Sequence, residues 1–488
     1  MLSLITFIPV IGALLIILLS KQLSRTIALV ASLASFVVAL LVLNSFNNAQ
    51  AGFQFVEVAP WIPQFGISYK LGVDGISLWL MMLTVFIFPI AIWASSGAIQ
   101  HDQKIYYALV LLMETATLGV FLSLDMFLFY VFWEFALVPM YFIIGLWGGQ
   151  RRIYASLKFF IYTMAGSVLM LIAILVMGVQ GQTFDYEALV KQGLHSANMS
   201  LFLAFAIAFA IKVPMFPFHS WLPDAHVEAP TPGSVILAAV LLKMGSYGLI
   251  RFNLALFPQA SQQFAPVMIM LAVVGILYGA IVAFAQSDMK KLIAYSSVSH
   301  MGYIILGIFS MNELGVQGAI LQMINHGLST GGLFLVVGYI YERMHTREMG
   351  KMGGLWAKMP VYGTVALLFV LSSVGLPALN GFVGEFVILQ GAFQRNPLWT
   401  GLATIGMVLG AVYLLTMYQK VFLGKGKDEA VDDHGHHRQV ASASHGLLDL
   451  NWRELASAIP LIVFCFYIGL ASTPFFNAMS ASVGKLLK

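Results

Sequence analysis

Apolar stretches of membrane-spanning length recur along the whole 488-residue sequence. A helix needs about 20 apolar residues to cross the hydrocarbon core of a bilayer. Hydrophobic residues make up 60% of the chain and charged residues only 9%, whereas soluble domains carry roughly 25% charged residues. The sequence therefore predicts an all-α polytopic membrane protein with a single integral-membrane domain, 1–488. About 14 transmembrane helices are predicted, at 3–19, 27–43, 76–95, 105–123, 126–147, 155–179, 200–218, 233–252, 265–285, 292–309, 314–341, 360–391, 398–420 and 455–476.

The distribution of Lys and Arg predicts the orientation of the chain. With the N-terminus outside, 17 of these residues fall in inner segments and six in outer segments, which agrees with the positive-inside rule. The first apolar run has no positive charge before it, and Lys21 and Arg25 follow it, so we expect a retained first helix rather than a signal peptide. A bacterial cytoplasmic membrane is the expected location. The outer loop 44–75 and the cytoplasmic loop 424–451 are predicted to be plain surface connections.

Two of the predicted helices are interrupted. Five prolines lie between Pro214 and Pro232, and the 360–391 run contains Pro377 and Gly381. Proline removes an N–H and clashes with the preceding turn, so neither segment is expected to be a straight helix. Paired discontinuous helices indicate an inverted-repeat transporter with sites near the membrane midplane. The predicted repeat halves are 105–252 and 265–420.

Five charged residues lie inside predicted spans: Lys212, Lys243, Glu114, Glu134 and Glu385. A charge at the centre of a spanning helix costs at least about 2.5–3.5 kcal/mol on insertion scales, and such residues usually act in ion or proton transfer. The pattern therefore predicts a transmembrane proton or cation pathway. The small net charge of +4, spread over loops, argues against nucleic-acid binding.

Glu134 and Lys212 are predicted to form a switchable pair, because burial and mutual attraction shift their proton affinities in opposite directions. The alternative is a static salt bridge, which is a weak source of stability when buried. Lys243 is predicted to relay protons or to be a structural cation bonded to carbonyls. Glu385 is predicted to end the relay. Glu114 either belongs to the relay or bonds a neighbouring hydroxyl.

Histidines titrate near neutral pH and can link a buried Lys to a buried Glu. His326 lies mid-span in a polar stripe and His219 lies seven residues after Lys212, so both are predicted as secondary relay residues. His300 and His226 are predicted to serve loop packing. A solvated loop is favoured over a metal site for one further cluster: Asp432, Asp433, His434, His436 and His437.

No cofactor-binding pattern is visible in the sequence. The single cysteine, Cys465, lies in an apolar run, which suggests an inert packing residue and argues against Cys-ligated iron–sulfur or zinc sites in this chain. The glycines at 350–354 lack the spacing of a phosphate-binding loop. We therefore expect neither a metal nor a cofactor in this chain.

Several motifs together resemble one membrane-protein family. They are the Trp133-Glu134 pair and the segments AIKVPMFPFHSWLPDAHVEAPTPGSVILAAVLLKMGSYGLIR, AYSSVSHMGY, INHGLSTGGLF and LPALNGFVGEF. Over nearly its whole length the chain resembles the antiporter-like membrane subunits of respiratory complex I. These are related to multisubunit cation/proton antiporters and to the membrane subunits of energy-converting hydrogenases.

The resemblance implies a proton-translocating subunit of NADH:quinone oxidoreductase, with Glu134 and Lys212 as a coupled pair, Lys243 as the central relay, His326 as a link and Glu385 as the terminal site. Glu114 has less support from the family. Most members carry Lys at the position of Glu385 and one branch carries Glu, which places the chain in that branch. Implied partners are other membrane subunits, including homologous antiporter-like subunits, and subunits that carry FMN and iron–sulfur clusters. The alternative is a subunit of a cation/proton antiporter driven by ion gradients, and a relative driven by hydrogenase or ferredoxin chemistry is a third possibility.

Overall fold

The computed structural model describes residues 1–424 and 447–488, and most of these residues are helical. The first half contains α1 Leu2–Leu18, α2 Ser24–Asn44, α3 Gly75–Ala98, α4 Gln103–Leu122, α5 Met126–Phe135, α6 Leu137–Trp147, α7 Arg152–Gly181, α8 Tyr186–Gln192, α9 Met199–Lys212, α10 Trp221–Glu228, α11 Thr231–Ile236 and α12 Leu242–Gly248. The second half contains α13 Pro258–Phe284, α14 Met289–Phe309, α15 Glu313–Met344, α16 Leu355–Lys358, α17 Pro360–Val374, α18 Asn380–Arg395, α19 Pro397–Phe422, α20 Trp452–Leu470 and α21 Thr473–Leu486.

The predicted class, a helical polytopic membrane protein, is confirmed. Within the described ranges, 11 helices are long and apolar enough to cross a membrane, and three shorter apolar helices accompany them. The number fourteen stays a prediction. The predicted span 455–476 is wrong at its end, because α20 stops at Leu470 and α21 begins at Thr473. Residues 425–446, with most of the predicted cytoplasmic loop and the cluster around His434, lie outside the described residues.

The segment 44–75 is not the plain connection that the sequence predicts. It contains an antiparallel hairpin of β1 Gln54–Ile62 and β2 Ile67–Val73. Leu71 and Val73 of this hairpin are fully buried, and the Lys70 carbonyl accepts a hydrogen bond of 2.9 Å from the Leu124 amide. We call this end of the helix bundle the hairpin face and the other end the opposite face.

Both predicted helix interruptions are present. The first half-helix, α9, ends at Lys212, and the chain becomes helical again in α10. The second, α17, ends at Val374, and α18 begins at Asn380. Polar bonds span each break: Trp221 Nε1 donates to the Ile211 carbonyl over 2.8 Å, and Ser372 Oγ donates to Asn380 Oδ1 over 2.5 Å.

A backbone pattern occurs twice with one spacing. Isolated antiparallel bridges join Asp125 to Asp185 and Asp288 to Glu348, and each pair is offset from the other by 163 residues. Asp125 and Asp288 each accept hydrogen bonds at the start of the helix that follows, α5 and α14. The first bridge lies near the hairpin, whereas the second lies at the opposite face.

Helices α11 and α12 belong to one continuous helix, Thr231–Leu254, which contains two π-helical segments. These segments are Leu237–Leu241 and Leu249–Leu254. π-Helical turns inside α-helices are frequent at functional sites. Lys243 lies between the two segments, and Arg251 lies within the second.

Candidate functional site

Lys243 lies at the centre of the molecule and is fully buried. Its Nζ donates a 2.5 Å hydrogen bond to the carbonyl of Ala238, five residues earlier in the π-helical segment. The same Nζ lies 2.7 Å from Nδ1 of His326, on α15. Both sequence-based readings of Lys243 are therefore represented in its contacts: a carbonyl holds the side chain, and a histidine can exchange a proton with it.

His326 connects Lys243 to a second histidine. Its ring centroid is 5.9 Å from that of His300, which lies on α14. Nε2 of His326 is buried and has no hydrogen-bond partner among the described residues. His300 Nδ1 in turn lies 2.8 Å from Glu385 Oε1. A line of Lys, two His and Glu therefore runs from α12 through α15 and α14 to α18.

Glu385 is 2% exposed and lies in the second turn of α18, just after the helix break. Besides His300, Gln322 Nε2 donates to its Oε1 over 3.1 Å. Close packing maintains this arrangement, because a Cβ atom at Gly384 would lie 2.2 Å from Oε1 of Gln322. The carboxylate is thus held by two side chains from two other helices.

Lys212 is 1% exposed, and its Nζ has no hydrogen-bond partner among the described residues. The ammonium lies 5.3 Å from the ring centre of Trp133 and 5.5 Å from that of Phe159. It is the last residue of α9, where free carbonyl groups of a helix C-terminus favour a cation. The helix break and the aromatic rings together explain how a buried lysine is tolerated there.

Glu134 lies close to Lys212 but does not form an ion pair with it. Within the described part of the chain, no N···O distance of 4.0 Å or less joins the two side chains, although they are near enough to interact electrostatically. Glu134 also lies beside Tyr130 and Ser167. The predicted pair is therefore close but separated, which differs from the static salt bridge of the alternative reading.

A cavity of about 1090 Å³ opens at the opposite face. Its lining includes Lys290, which is 5% exposed and donates a 2.5 Å hydrogen bond from Nζ to the Ala229 carbonyl. His226, between this cavity and the core, is fully buried and stacks on Phe334 at 4.4 Å. Neither ring nitrogen of His226 has a hydrogen-bond partner among the described residues, and its charged neighbours are Lys290 and Lys243.

The other two predicted relay residues lie away from this line. Glu114 Oε1 accepts a 2.9 Å hydrogen bond from Ser32, on α2, which agrees with the reading of Glu114 as a partner of a neighbouring hydroxyl. His219 packs between aromatic rings, 5.8 Å from Phe216 and 4.9 Å from Tyr278. The contacts described for these two side chains do not include Lys212 or Lys243.

Comparison with known proteins identifies the family. The model "NADH-ubiquinone oxidoreductase chain 4, amino terminus" matches residues 1–124, and "NADH:quinone oxidoreductase/Mrp antiporter, TM" matches residues 123–410. NADH-quinone oxidoreductase subunit M of Rhodobacter capsulatus is 44% identical over 100% of this chain and 96% of the relative. The subunit of the same name from Escherichia coli is 45% identical over 88% and 84%. The chain belongs to the subunit M (chain 4) family of NADH:quinone oxidoreductases.

A solved structure agrees with the subunit M family. A chain of respiratory complex I from Thermus thermophilus with bound NADH matches with a TM-score of 0.89 and 32% identity, and the match covers 100% of both chains. The resemblance deduced from the motifs around Glu134, Lys212 and Lys243 is thus confirmed at the level of the family. The roles of individual residues stay predictions.

Sequence reasoning missed several buried groups of this subunit M family member, including His226, which was expected to serve loop packing and is fully buried. His300 was expected to serve loop packing, but it is the twelfth residue of α14 and contacts Glu385. Lys290 and Arg251 were assigned to surface segments, but they are 5% and 4% exposed. The position of His300 inside the predicted span 292–309 was a usable signal, whereas the burial of the two cations depends on how neighbouring helices pack.

Among the described residues no group of three or more His, Cys, Asp or Glu side chains is placed to hold a metal ion.

Proposed function

We propose that this chain is a proton-translocating membrane subunit of NADH:quinone oxidoreductase, and that protons pass through Lys243, His326, His300 and Glu385. The observation that carries this proposal is a row of neighbouring groups. Lys243 Nζ lies 2.7 Å from His326 Nδ1, the ring centroids of His326 and His300 are 5.9 Å apart, and His300 Nδ1 lies 2.8 Å from Glu385 Oε1. Imidazoles are well suited to pass protons near neutral pH. We expect electron transfer to take place in partner subunits that carry FMN and iron–sulfur clusters, and we expect no redox centre in this chain.

The opposite face supplies protons in this scheme. The cavity lined by Lys290 approaches His226, whose charged neighbours are Lys290 and Lys243 and whose two ring nitrogens have no hydrogen-bond partner among the described residues. Cytoplasmic protons enter there, pass His226 and reach Lys243. This direction rests on the proposed orientation, with the N-terminus outside in a bacterial inner membrane, which is supported by the asymmetric distribution of Lys and Arg.

Glu134 and Lys212 set the timing of the transfer. Their separation leaves room for a conformational or electrostatic signal from partner membrane subunits to bring them together or apart. Moving one charge against 100 mV requires about 2.3 kcal/mol, which corresponds to a change in proton affinity of less than two pKa units. A modest change in the distance between two buried charges is sufficient for this.

We further propose that 105–252 and 265–420 are the two halves of an inverted repeat. The bridges at Asp125 and Asp288, with their shared offset of 163 residues, support this because they occur at opposite faces of the bundle. The two broken helices support it as well: α9 ends at Lys212 and α17 ends at Val374, which is nearly the same offset. In the first repeat half Lys212 lies just before the helix break, whereas in the second repeat half Glu385 lies after the helix break.

The test is NADH-driven proton uptake by the assembled complex in proteoliposomes, with Lys243→Ala. We expect uptake to fall at least about tenfold, as when a positioned proton-transfer group is removed. Lys191→Ala, which changes an exposed lysine at the hairpin face, is the matched control and should pump normally. Full pumping by an assembled Lys243→Ala complex would refute the relay.

The same proteoliposomes test the antiporter alternative. The family model that matches residues 123–410 also includes Mrp antiporters, so this alternative has direct support. Sodium-dependent proton flux without NADH would favour it. Proton flux that requires NADH and a quinone, and that does not respond to sodium, would favour the pump.

A further inference from the structure

Arg251 and Asp74 form a buried ion pair at the hairpin-face end of the helix that carries Lys243. Arg251 Nη2 donates to Asp74 Oδ1 over 2.5 Å, and the two side chains are only 4% and 5% exposed. Removing two charges from water is expensive, and buried ion pairs seldom repay this cost in stability. The pair therefore calls for an explanation other than stability.

The surroundings of the pair hold it in one place. Asp74 caps the N-terminus of α3 and accepts hydrogen bonds from the amides of Ile76 and Ser77. The Arg251 guanidinium lies 4.9 Å from the ring centre of Phe53 and 5.7 Å from that of Tyr186. Both charges are thus fixed between α3, the 231–254 helix and aromatic side chains from the 44–75 segment and from α8.

The pair separates a cavity from the relay. A cavity of about 640 Å³ at the hairpin face is lined by both Asp74 and Arg251. On the inner side of Arg251, its Nε donates to Tyr247 Oη over 3.2 Å, and Tyr247 Oη donates to the Phe121 carbonyl over 3.1 Å. Lys243 is one further helical turn away, so eight residues, or about 12 Å of helix, separate it from Arg251.

The two ends of the Lys243 helix therefore differ in kind. Towards the opposite face, Lys243 is followed by His226, an imidazole that can take up and release protons. Towards the hairpin face it is followed by Arg251, whose guanidinium cannot give up its proton in a protein. Its fixed positive charge also repels a proton that leaves Lys243. A proton on Lys243 can thus move to His326 on the neighbouring helix α15, but it cannot move directly along the Lys243 helix to the hairpin face.

We propose that the Arg251–Asp74 pair is an electrostatic seal that closes a direct route from Lys243 to the hairpin-face cavity and so directs protons to Glu385. The seal rests on the proposed function, because it acts on the same relay. It stops a passive backward leak, which would otherwise dissipate the gradient that the complex builds. Arg251 is a positioning residue in this sense, and its effect is on coupling rather than on electron transfer.

The test is passive proton leak through the assembled complex in proteoliposomes, with an internal pH-sensitive dye, an imposed pH step, a clamped membrane potential and no NADH. Arg251→Gln removes the positive charge and leaves Asp74 as a proton acceptor, so the leak should rise about tenfold, the effect of one unit charge at about 12 Å in a protein dielectric. Asp74→Asn keeps both the arginine and a good helix cap, so this variant should not leak more than wild type.

These variants separate charge from packing. Equal leak in Arg251→Gln and Asp74→Asn would show that the pair only holds helices together, and wild-type leak in an assembled Arg251→Gln complex would also overturn the seal. In the double variant Arg251→Gln/Lys243→Ala the leak should return to the wild-type level, because Lys243, the inner proton-binding group of the leak route, has been removed. A persistent leak would show that the protons take another route and would refute the proposal. Since no NADH is present, these outcomes are independent of the pumping test on Lys243→Ala alone.

Discussion

At Glu385 an acid and its basic neighbour are in contact, with His300 Nδ1 2.8 Å from the carboxylate. At Lys212 the ammonium has no hydrogen-bond partner among the described residues, and Glu134 lies near it without forming an ion pair. Both pairs join a residue beside a broken helix to a residue on a neighbouring helix. They show that the same helical arrangement can hold one pair closed and the other open.

The difference has a physical reason. Glu385 is held by Gln322 as well as by His300, so its position is fixed by directed hydrogen bonds. Lys212 faces the rings of Trp133 and Phe159, which attract a cation without fixing its direction. An open pair can respond to a signal, whereas a closed pair is suited to receive and release a proton. We therefore propose control for the open pair, Glu134 and Lys212, and proton transfer for the closed pair, His300 and Glu385.

Glu134→Gln should have the largest effect. Removing the charge that balances Lys212 should lower NADH-driven proton uptake at least about tenfold. Glu114→Gln is the control, because this fully buried carboxylate already bonds Ser32 and a glutamine can keep that bond, so uptake should change by less than about twofold. An equal or larger loss with Glu114→Gln would break the comparison, since Glu114 would then belong to the relay.

Gly384→Ala should damage the closed pair without changing a charge. The new Cβ would lie 2.2 Å from Gln322 Oε1 and 2.8 Å from Asn325 Nδ2, so one holder of Glu385 must move. We expect a loss of about 1–3 kcal/mol in unfolding free energy, as for other overpacked cores, together with slower proton uptake. Gly401→Ala, with no heavy atom within 4 Å of its Cβ, should be neutral or slightly stabilising. Equal behaviour of the two variants in thermal unfolding would contradict the close packing.

A double-mutant cycle should distinguish contact from proximity. For His300→Gln and Glu385→Gln we expect a coupling of about 1–2 kcal/mol in unfolding free energy in detergent, because the two side chains share a hydrogen bond. The corresponding cycle for Glu134→Gln and Lys212→Met should give a smaller coupling, since no direct bond is lost. If the second coupling were the larger, the assignment of open and closed pairs would have to be reversed.

The smallest effect is expected for an ion pair near the surface. Lys70 on the hairpin lies 2.6 Å from Asp185 and 3.0 Å from Glu187. Burial would lower the pKa of Lys70, but hydrogen bonds and attraction from the two carboxylates outweigh it, and the net pKa is raised above 10.5. The contribution of the protonated Lys70 to the free energy of unfolding is therefore complete below pH 10.5, and it is lost as the pH rises through the raised pKa of Lys70.

Lys70→Met should cost about 1 kcal/mol or less in unfolding free energy, as is usual for exposed or half-exposed pairs. The difference from wild type should vanish at strongly alkaline pH, and thermal unfolding over a pH series measures it. Lys191→Met, on the neighbouring helix α8, is the control. A loss as large as that of Gly384→Ala would show that the hairpin ion pair contributes as much to stability as the packing around Glu385 does.

The sequence by itself determined which charged residues lie inside predicted membrane spans. Five charged residues inside predicted spans, Glu114, Glu134, Lys212, Lys243 and Glu385, stand out because hydrophobic segments exclude charge unless the protein needs it. Prolines and glycines likewise determined both helix breaks, since their effect on the backbone is local. The family resemblance followed from the same local motifs and was confirmed over the whole chain.

Only the tertiary structure decided which of these residues meet. His300 reaches Glu385 across 85 residues of chain, and Arg251 reaches Asp74 across 177, and no local pattern specifies such distances. The hairpin within 44–75 and the burial of Lys290 also depend on which elements pack beside them. Hydropathy records whether a residue enters the membrane region, whereas contact between two polar side chains depends on helix packing, which is a property of the whole bundle.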